Sequence, residues 1–356
     1  MTTVPQITLD WDAILRDRVL STVGVASGGV TAPTLTFVCG QPGSGKSSRI
    51  SRLAGHLGSD RTQIISKDTL CALVPELFCE SDDPALGVAL DQYGRLFQPA
   101  QIDALIDRAA ALRAHVLYEV HVPTGVAKRA VSARAAGYNV VCEVLALPPQ
   151  ESWLATLQRD TAAGFTQIGF AKSVAWDRMV KAYHRWPAFL ARAEAEVTFD
   201  TLRILGRDGT VLFENSATVT NGARQWTGPV FGFESLVVER LQPRSLDQRR
   251  ALLAAWQTLR THPEVAFQNH AAWPYATITA LGDMLHTACA DPAFGFDLNQ
   301  PPVPPDLQAA TGWIARLRAD LIATLTTAEA QGQATLPTRG DRLLALVATL
   351  AAQPVF

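Results

Sequence analysis

Short apolar runs alternating with amphipathic stretches set the layout of the chain. Residues 34–39 (Thr-Leu-Thr-Phe-Val-Cys) form a nearly continuous apolar run. Similar runs at 63–66, 115–119, 138–145, 201–205 and 211–213 read as further strands. Between them, residues 48–57, 101–113, 125–136, 151–162 and 173–196 repeat apolar positions at helical spacing, several closed by a glycine or opened by a proline. Gly206-Arg-Asp-Gly209 reads as a hairpin turn. Strands apolar on both faces and separated by helices predict an α/β fold, a parallel sheet covered by helices. Ligands of such sheets sit beyond the carboxyl ends of the strands. A helix over 9–23 makes residues 1–30 an N-terminal arm, and residues 31–220 the α/β domain. After about Asn221 the texture turns to alanine- and leucine-rich helical patterns at 245–260, 275–288, 306–330 and 339–351, with a proline-rich loop at 299–305. Residues 221–356 therefore read as an additional C-terminal α-helical region.

Composition narrows the classes. A net charge of −2 with 18% charged residues offers no basic face, which argues against a nucleic-acid partner. The five cysteines (39, 71, 79, 142 and 289) lack metal-ligand spacing and read as reduced thiols. Residues 1–30 lack the basic start and apolar core of a signal peptide, and no segment is apolar for long enough to span a bilayer. The expectation is a cytoplasmic protein, without a membrane partner, or one delivered into another cell without a cleaved leader.

Chemistry concentrates after the first strand. Gly40-Gln41-Pro42-Gly43-Ser44-Gly45-Lys46-Ser47 matches G-x-x-x-x-G-K-[ST], and Ser48 continues into a helix. Strand, glycine loop and helix in that order form an anion cradle of backbone N–H groups at a positive helix end. Lys46 would reach the β- and γ-phosphates of a nucleoside triphosphate, and Ser47 would hold Mg²⁺. Asp68, just past the second strand, suits a base for an attacking hydroxyl, a contact to the metal through water, or a helix N-cap. Glu119 ends the third strand, where an acid orients metal-bound water or binds substrate hydroxyls. His121 is a substrate contact or a loop histidine. Arg159 and Lys172 flank a glycine-bounded segment, 164–170, suited to a cationic lid over a transferring phosphoryl group.

Taken together, residues 31–215 resemble the zeta toxin family of bacterial small-molecule kinases. The likeness rests on the loop at 40–47, Ser66-Lys-Asp-Thr-Leu70, Leu117-Tyr-Glu-Val120, the Ala-Gly-Tyr and apolar strand within 130–147, Arg159, and Phe199-Asp-Thr-Leu-Arg-Ile followed by Gly206-Arg-Asp-Gly209. The resemblance implies transfer of the ATP γ-phosphate to a hydroxyl of a nucleotide-type molecule, most familiarly UDP-N-acetylglucosamine, with toxic effect. It makes Asp68 the general base, Lys46 and Arg159 phosphate clamps, Ser47 the metal ligand and Glu119 a substrate contact. It also implies a small helical antitoxin or chaperone partner, and residues 221–356 are a candidate tethered inhibitor or docking platform. The chain departs from the family pattern at Val120-His121, where Gly-Thr is common, and at Leu70-Cys71, where Phe-Arg is usual. Lys172 stands in for the second lid arginine and lacks its bidentate fork. These changes leave NAD phosphorylated on its adenosine ribose as an alternative product. A metabolic or antibiotic kinase and a regulatory P-loop ATPase are the other readings.

Overall fold

The computed structural model describes residues 29–66, 99–162, 176–241 and 246–261, with isolated positions 13, 17 and 18. The helix expected over 9–23, Asp68, Lys172, the segment 164–170 and the helical patterns beyond residue 261 lie outside the described residues.

Among the described residues, seven strands form one sheet in the order β2-β3-β1-β4-β5-β6-β7. Strands β1 (Thr34–Cys39), β2 (Thr62–Ile65), β3 (His115–Val120), β4 (Asn139–Leu145) and β5 (Thr201–Leu205) run parallel. Strands β6 (Val211–Thr220) and β7 (Ala223–Trp226) add an antiparallel edge. The fold is the α/β sheet covered by helices that the alternating pattern predicts, the P-loop kinase-like architecture that the family resemblance implies.

Central strand β1 shows why the run at 34–39 is apolar throughout. Leu35, Phe37 and Cys39 face one layer, and Val38 faces the other. On the Val38 side, α1 (Lys46–Leu57) buries Lys46, Ile50 and Ala54, one stripe at four-residue spacing, against Leu117, Leu145 and Leu147. The opposite layer contains α2 (Pro99–Ala111), α3 (Val126–Ala135) and α5 (Trp176–Ala195). There Phe37 lies 5.9 Å from Tyr118 and 6.1 Å from Phe199, ring centre to ring centre. Burial of an aromatic ring of this kind contributes on the order of 2–3 kcal/mol. Helix α4 (Pro149–Ala162) follows β4.

The turn between β5 and β6 is the expected one: the Gly206 N–H donates to Thr210 O at 2.9 Å, and Asp208 accepts from the Thr210 amide. Arg52 of α1 donates to Asp208 O, tying this hairpin to the helix behind the glycine loop.

The change of texture after Asn221 does not coincide with the end of the sheet. Thr220 pairs with Ala223 across Asn221 and Gly222, whose φ angles are +52° and +77°. Two positive φ values in a two-residue connection mark the tight hairpin turn that Asn-Gly favours. Helix α6 (Gly232–Leu241) then packs on α5 and β5, and α7 (Leu246–Thr261) packs on α4. Residues 223–241 thus continue the packed α/β unit.

Candidate phosphate-binding site

The glycine loop leaves β1 at the carboxyl edge of the sheet, where the Gly40 amide donates to Val120 O. Gly43 and Gly45 have φ angles of +75° and +94°, which L side chains rarely adopt. A Cβ on Gly43 would also fall 2.0 Å from Ser152 O, so the loop lies directly on the first turn of α4. Gly45 caps α1, and the first bond of the helical ladder runs from Arg49 N to Gly45 O. The amides of Lys46, Ser47 and Ser48 precede that bond and form the positive end of the helix. Ser47 and Ser48 are exposed there, whereas the buried Ser44 hydroxyl has no hydrogen-bond partner among the described residues. An orphaned hydroxyl within an arc of helix-end amides fits an anionic ligand.

Lys46 is 3% exposed and donates to Gln41 O at 2.8 Å, across its own loop. Its Nζ lies 3.9 Å from Glu119 Oε1. Burial lowers the amine from its ordinary value to about 8; Glu119 opposes the shift, and Arg159 adds to it. Glu119 arrives through strand register, opposite Val38 of β1. His121 Nε2 lies 3.8 Å from the same carboxylate oxygen, and the His121 carbonyl accepts from the Trp186 indole of α5.

The structure brings together the loop Gly40–Ser48, Glu119 and His121 at one rim. Arg159, exposed on α4, is near enough for its charge to reach Lys46. Asp68 and Lys172 lie outside the described residues, so their distances from the loop are not among these contacts. The described residues contain no group of three or more His, Cys, Asp or Glu side chains arranged to hold a metal.

Sequence reasoning passed over three residues at this site. Ser152 and Thr156 line the face of α4 under the loop: Ser152 Oγ accepts from Gln41, and Thr156 donates to Ser152 O. Arg240 of α6 donates to Gln41 Oε1. Its one sequence signal is a basic residue placed at the end of the apolar stretch Leu236-Val-Val-Glu-Arg-Leu241.

Comparison with known proteins decides the family. The zeta toxin family model matches residues 20–218, more than half of the 356 residues. The chain belongs to the zeta toxin family. A solved structure from the PezAT chromosomal toxin–antitoxin system of the human pathogen Streptococcus pneumoniae is similar in fold to this zeta toxin family chain. Its TM-score is 0.52 at 17% identity, with 72% of this chain and 100% of that chain covered. A native complex of AvrRxo1-ORF1 with AvrRxo1-ORF2 matches with a TM-score of 0.35 at 14% identity, covering 78% of this chain and 87% of that one. The same pair with ATP gives 0.32 at 15% identity, covering 68% and 77%. A search of curated proteins finds no match. No helix among the described residues of this family member is long and apolar enough to cross a membrane.

Proposed function

We propose that this zeta toxin family member is an ATP-dependent kinase acting on a hydroxyl of a nucleotide-type small molecule, and that it is toxic to some cell. The observation that carries the reading is the buried Lys46 amine. It sits at the positive end of α1, and among the described residues one carboxylate, Glu119 at 3.9 Å, lies within ion-pair distance. Such a cation is suited to the β- and γ-oxygens of a triphosphate, which supply the missing negative charge.

In the proposed reaction the acceptor oxygen bonds to the γ-phosphorus while the bond from that phosphorus to the β–γ bridging oxygen breaks, releasing ADP. Asp68 receives the hydroxyl proton. The loop amides and Lys46 hold the phosphate chain, and Arg159 with Lys172 stabilises charge on the transferring group. Glu119 and His121, adjacent on the rim, orient the acceptor. Mg²⁺, held beside Ser47, would neutralise the β- and γ-oxygens. For the acceptor we favour a UDP-sugar such as UDP-N-acetylglucosamine. For the partner we favour a helical antitoxin, in keeping with the toxin–antitoxin setting of the PezAT relative.

The test is incubation of the purified chain with labelled ATP, Mg²⁺ and separate UDP-sugars, NAD and nucleosides, followed by mass spectrometry. Gain of one phosphate by a UDP-sugar supports the reading. A phosphate on the NAD adenosine ribose would move the acceptor while keeping the kinase. ATP hydrolysis with no phosphorylated acceptor would overturn it.

A further inference from the structure

Lys46 rests on the Gln41 carbonyl, so whatever fixes Gln41 also fixes the lysine. Gln41 is fully buried, and its main-chain oxygen accepts from both Lys46 Nζ and the Ser44 amide. Its side chain is held at both ends. Nε2 donates to Leu147 O at 2.9 Å and to Ser152 Oγ at 2.8 Å, while Oε1 accepts from Arg240 Nη2 at 2.9 Å. The two acceptors on one side and the donor on the other fix which way the amide points.

Arg240 stands 199 positions from Gln41 and beyond the stretch that matches the family model. It is 3% exposed. Its Nη1 donates to Tyr183 O at 2.9 Å, and its guanidinium lies 4.0 Å from the centre of the Tyr183 ring. Burial lowers it to about 10, still protonated at neutral pH, and Tyr183 is the group that counters the shift. Among the described residues no carboxylate pairs with it, and a buried cation of that kind is costly to fold. A lysine would keep the charge but lose the planar fork that bonds both oxygens while stacking on the ring. A purely structural bolt from α6 to α5 would need only the Tyr183 contacts. The second arm goes to the loop.

The geometry points to Arg240 as a positioning residue of the phosphate loop. It clamps the Gln41 amide so that the Gln41 carbonyl faces Lys46 and the loop keeps its open curve toward a triphosphate. This inference rests on the proposed reading that the loop holds ATP. It assigns residues 232–241, outside the family match, a part in nucleotide affinity.

The experiment uses the full chain, with Mg·ATP titrated by calorimetry and steady-state kinetics on any acceptor that the wild type phosphorylates. Arg240→Met should raise Kd and KM for ATP about tenfold, the loss of one hydrogen bond from a charged donor. The rate at saturating ATP should stay within about threefold. Arg240→Lys, which keeps the charge without the fork, should fall between. Gln41→Leu should weaken binding as well, and the double variant should be no weaker than the weaker single one, since both break the same contact. A merely structural arginine would instead lower the active fraction and the apparent rate with KM unchanged. That pattern, or multiplying losses in the double variant, would overturn the inference. If Arg240→Met does not fold, Arg240→Lys decides: affinity equal to wild type sinks the clamp. Failure of the wild type itself to bind Mg·ATP would sink the reading of the loop, a distinguishable result.

Discussion

Two buried charges lie on the α1 face of the sheet, Glu143 on β4 and Lys46 at the start of α1, and their surroundings differ. Glu143 of β4 is wholly buried and takes two bonds of 2.7 Å from Arg49 and one of 3.2 Å from Arg203. Arg203 is held protonated by its hydrogen bonds to Glu214 and Glu143. This network is complete without any ligand. Lys46, also buried, has its nearest carboxylate among the described residues at 3.9 Å and an amine lowered to about 8. The fold satisfies its structural charge and leaves a second charge wanting an anion. Perturbed groups of the second kind mark functional sites more often than those of the first.

Removing each charge should therefore produce opposite results. Lys46→Ala is expected to cut phosphoryl transfer by on the order of 10³-fold. Its unfolding temperature should hold or rise, because a buried cation is lost. Transfer within tenfold of wild type would break the comparison at its functional end. Glu143→Ala should do the reverse, destabilising the chain by about 3 kcal/mol as two guanidinium groups lose their shared partner. The protein that remains folded should bind ATP within about threefold of wild type. Denaturant unfolding beside calorimetry checks both halves; a Glu143→Ala chain of unchanged stability would show that its network does nothing.

The pH dependence of binding sharpens the point. A bound triphosphate favours the charged amine, so the Lys46 pKa rises on binding. Above pH 8 the complex must therefore take up a proton that the free protein has lost. Affinity for ATP should fall as pH rises through about 8, by at most tenfold per unit. Lys46→Met should bind weakly with a flatter profile. Titrations between pH 7 and 9.5 in buffers of different ionisation heat would detect the proton uptake. A flat wild-type curve would mean that the lysine never meets the phosphates.

Much of this contrast was legible in the letters, and what was not has physical causes. The buried parallel strands announce themselves because both faces need apolar residues, and the glycine loop because φ values such as those at 43 and 45 favour glycine strongly. Strand β7 was missed because its burial alternates weakly at an exposed edge. The Asn221-Gly222 turn signal is present in the letters, but the composition change at the same place obscures it. The Glu143 network and the Gln41–Arg240 clamp join residues 60 to 199 positions apart. No local pattern encodes such pairings; only the folded register does.

The smallest expected effect concerns the base of α6, the helix that carries Arg240. Glu194 of α5 accepts from the amides of Gly232 and Phe233, and so caps α6 from a neighbouring helix. Burial raises its carboxyl from 4.5 to about 7, outweighing those two amide bonds. The native state therefore binds more protons than the unfolded chain between about pH 4.5 and 7. The contribution of Glu194 to stability must fall as pH rises through that window and level off above it. Glu194→Gln resembles the protonated form: its amide oxygen still accepts one backbone N–H, and it has no charge to desolvate. Relative to wild type, the variant should gain stability as pH goes from 5 to 8. Denaturant curves at several pH values, with wild type and variant in parallel, would measure the gain; a constant offset between them would show that Glu194 does not titrate in this range. If the clamp holds as inferred, the same pH series should move ATP affinity through α6 far less than Arg240→Met does. Glu194 secures the far end of the helix, whereas Arg240 touches the loop itself.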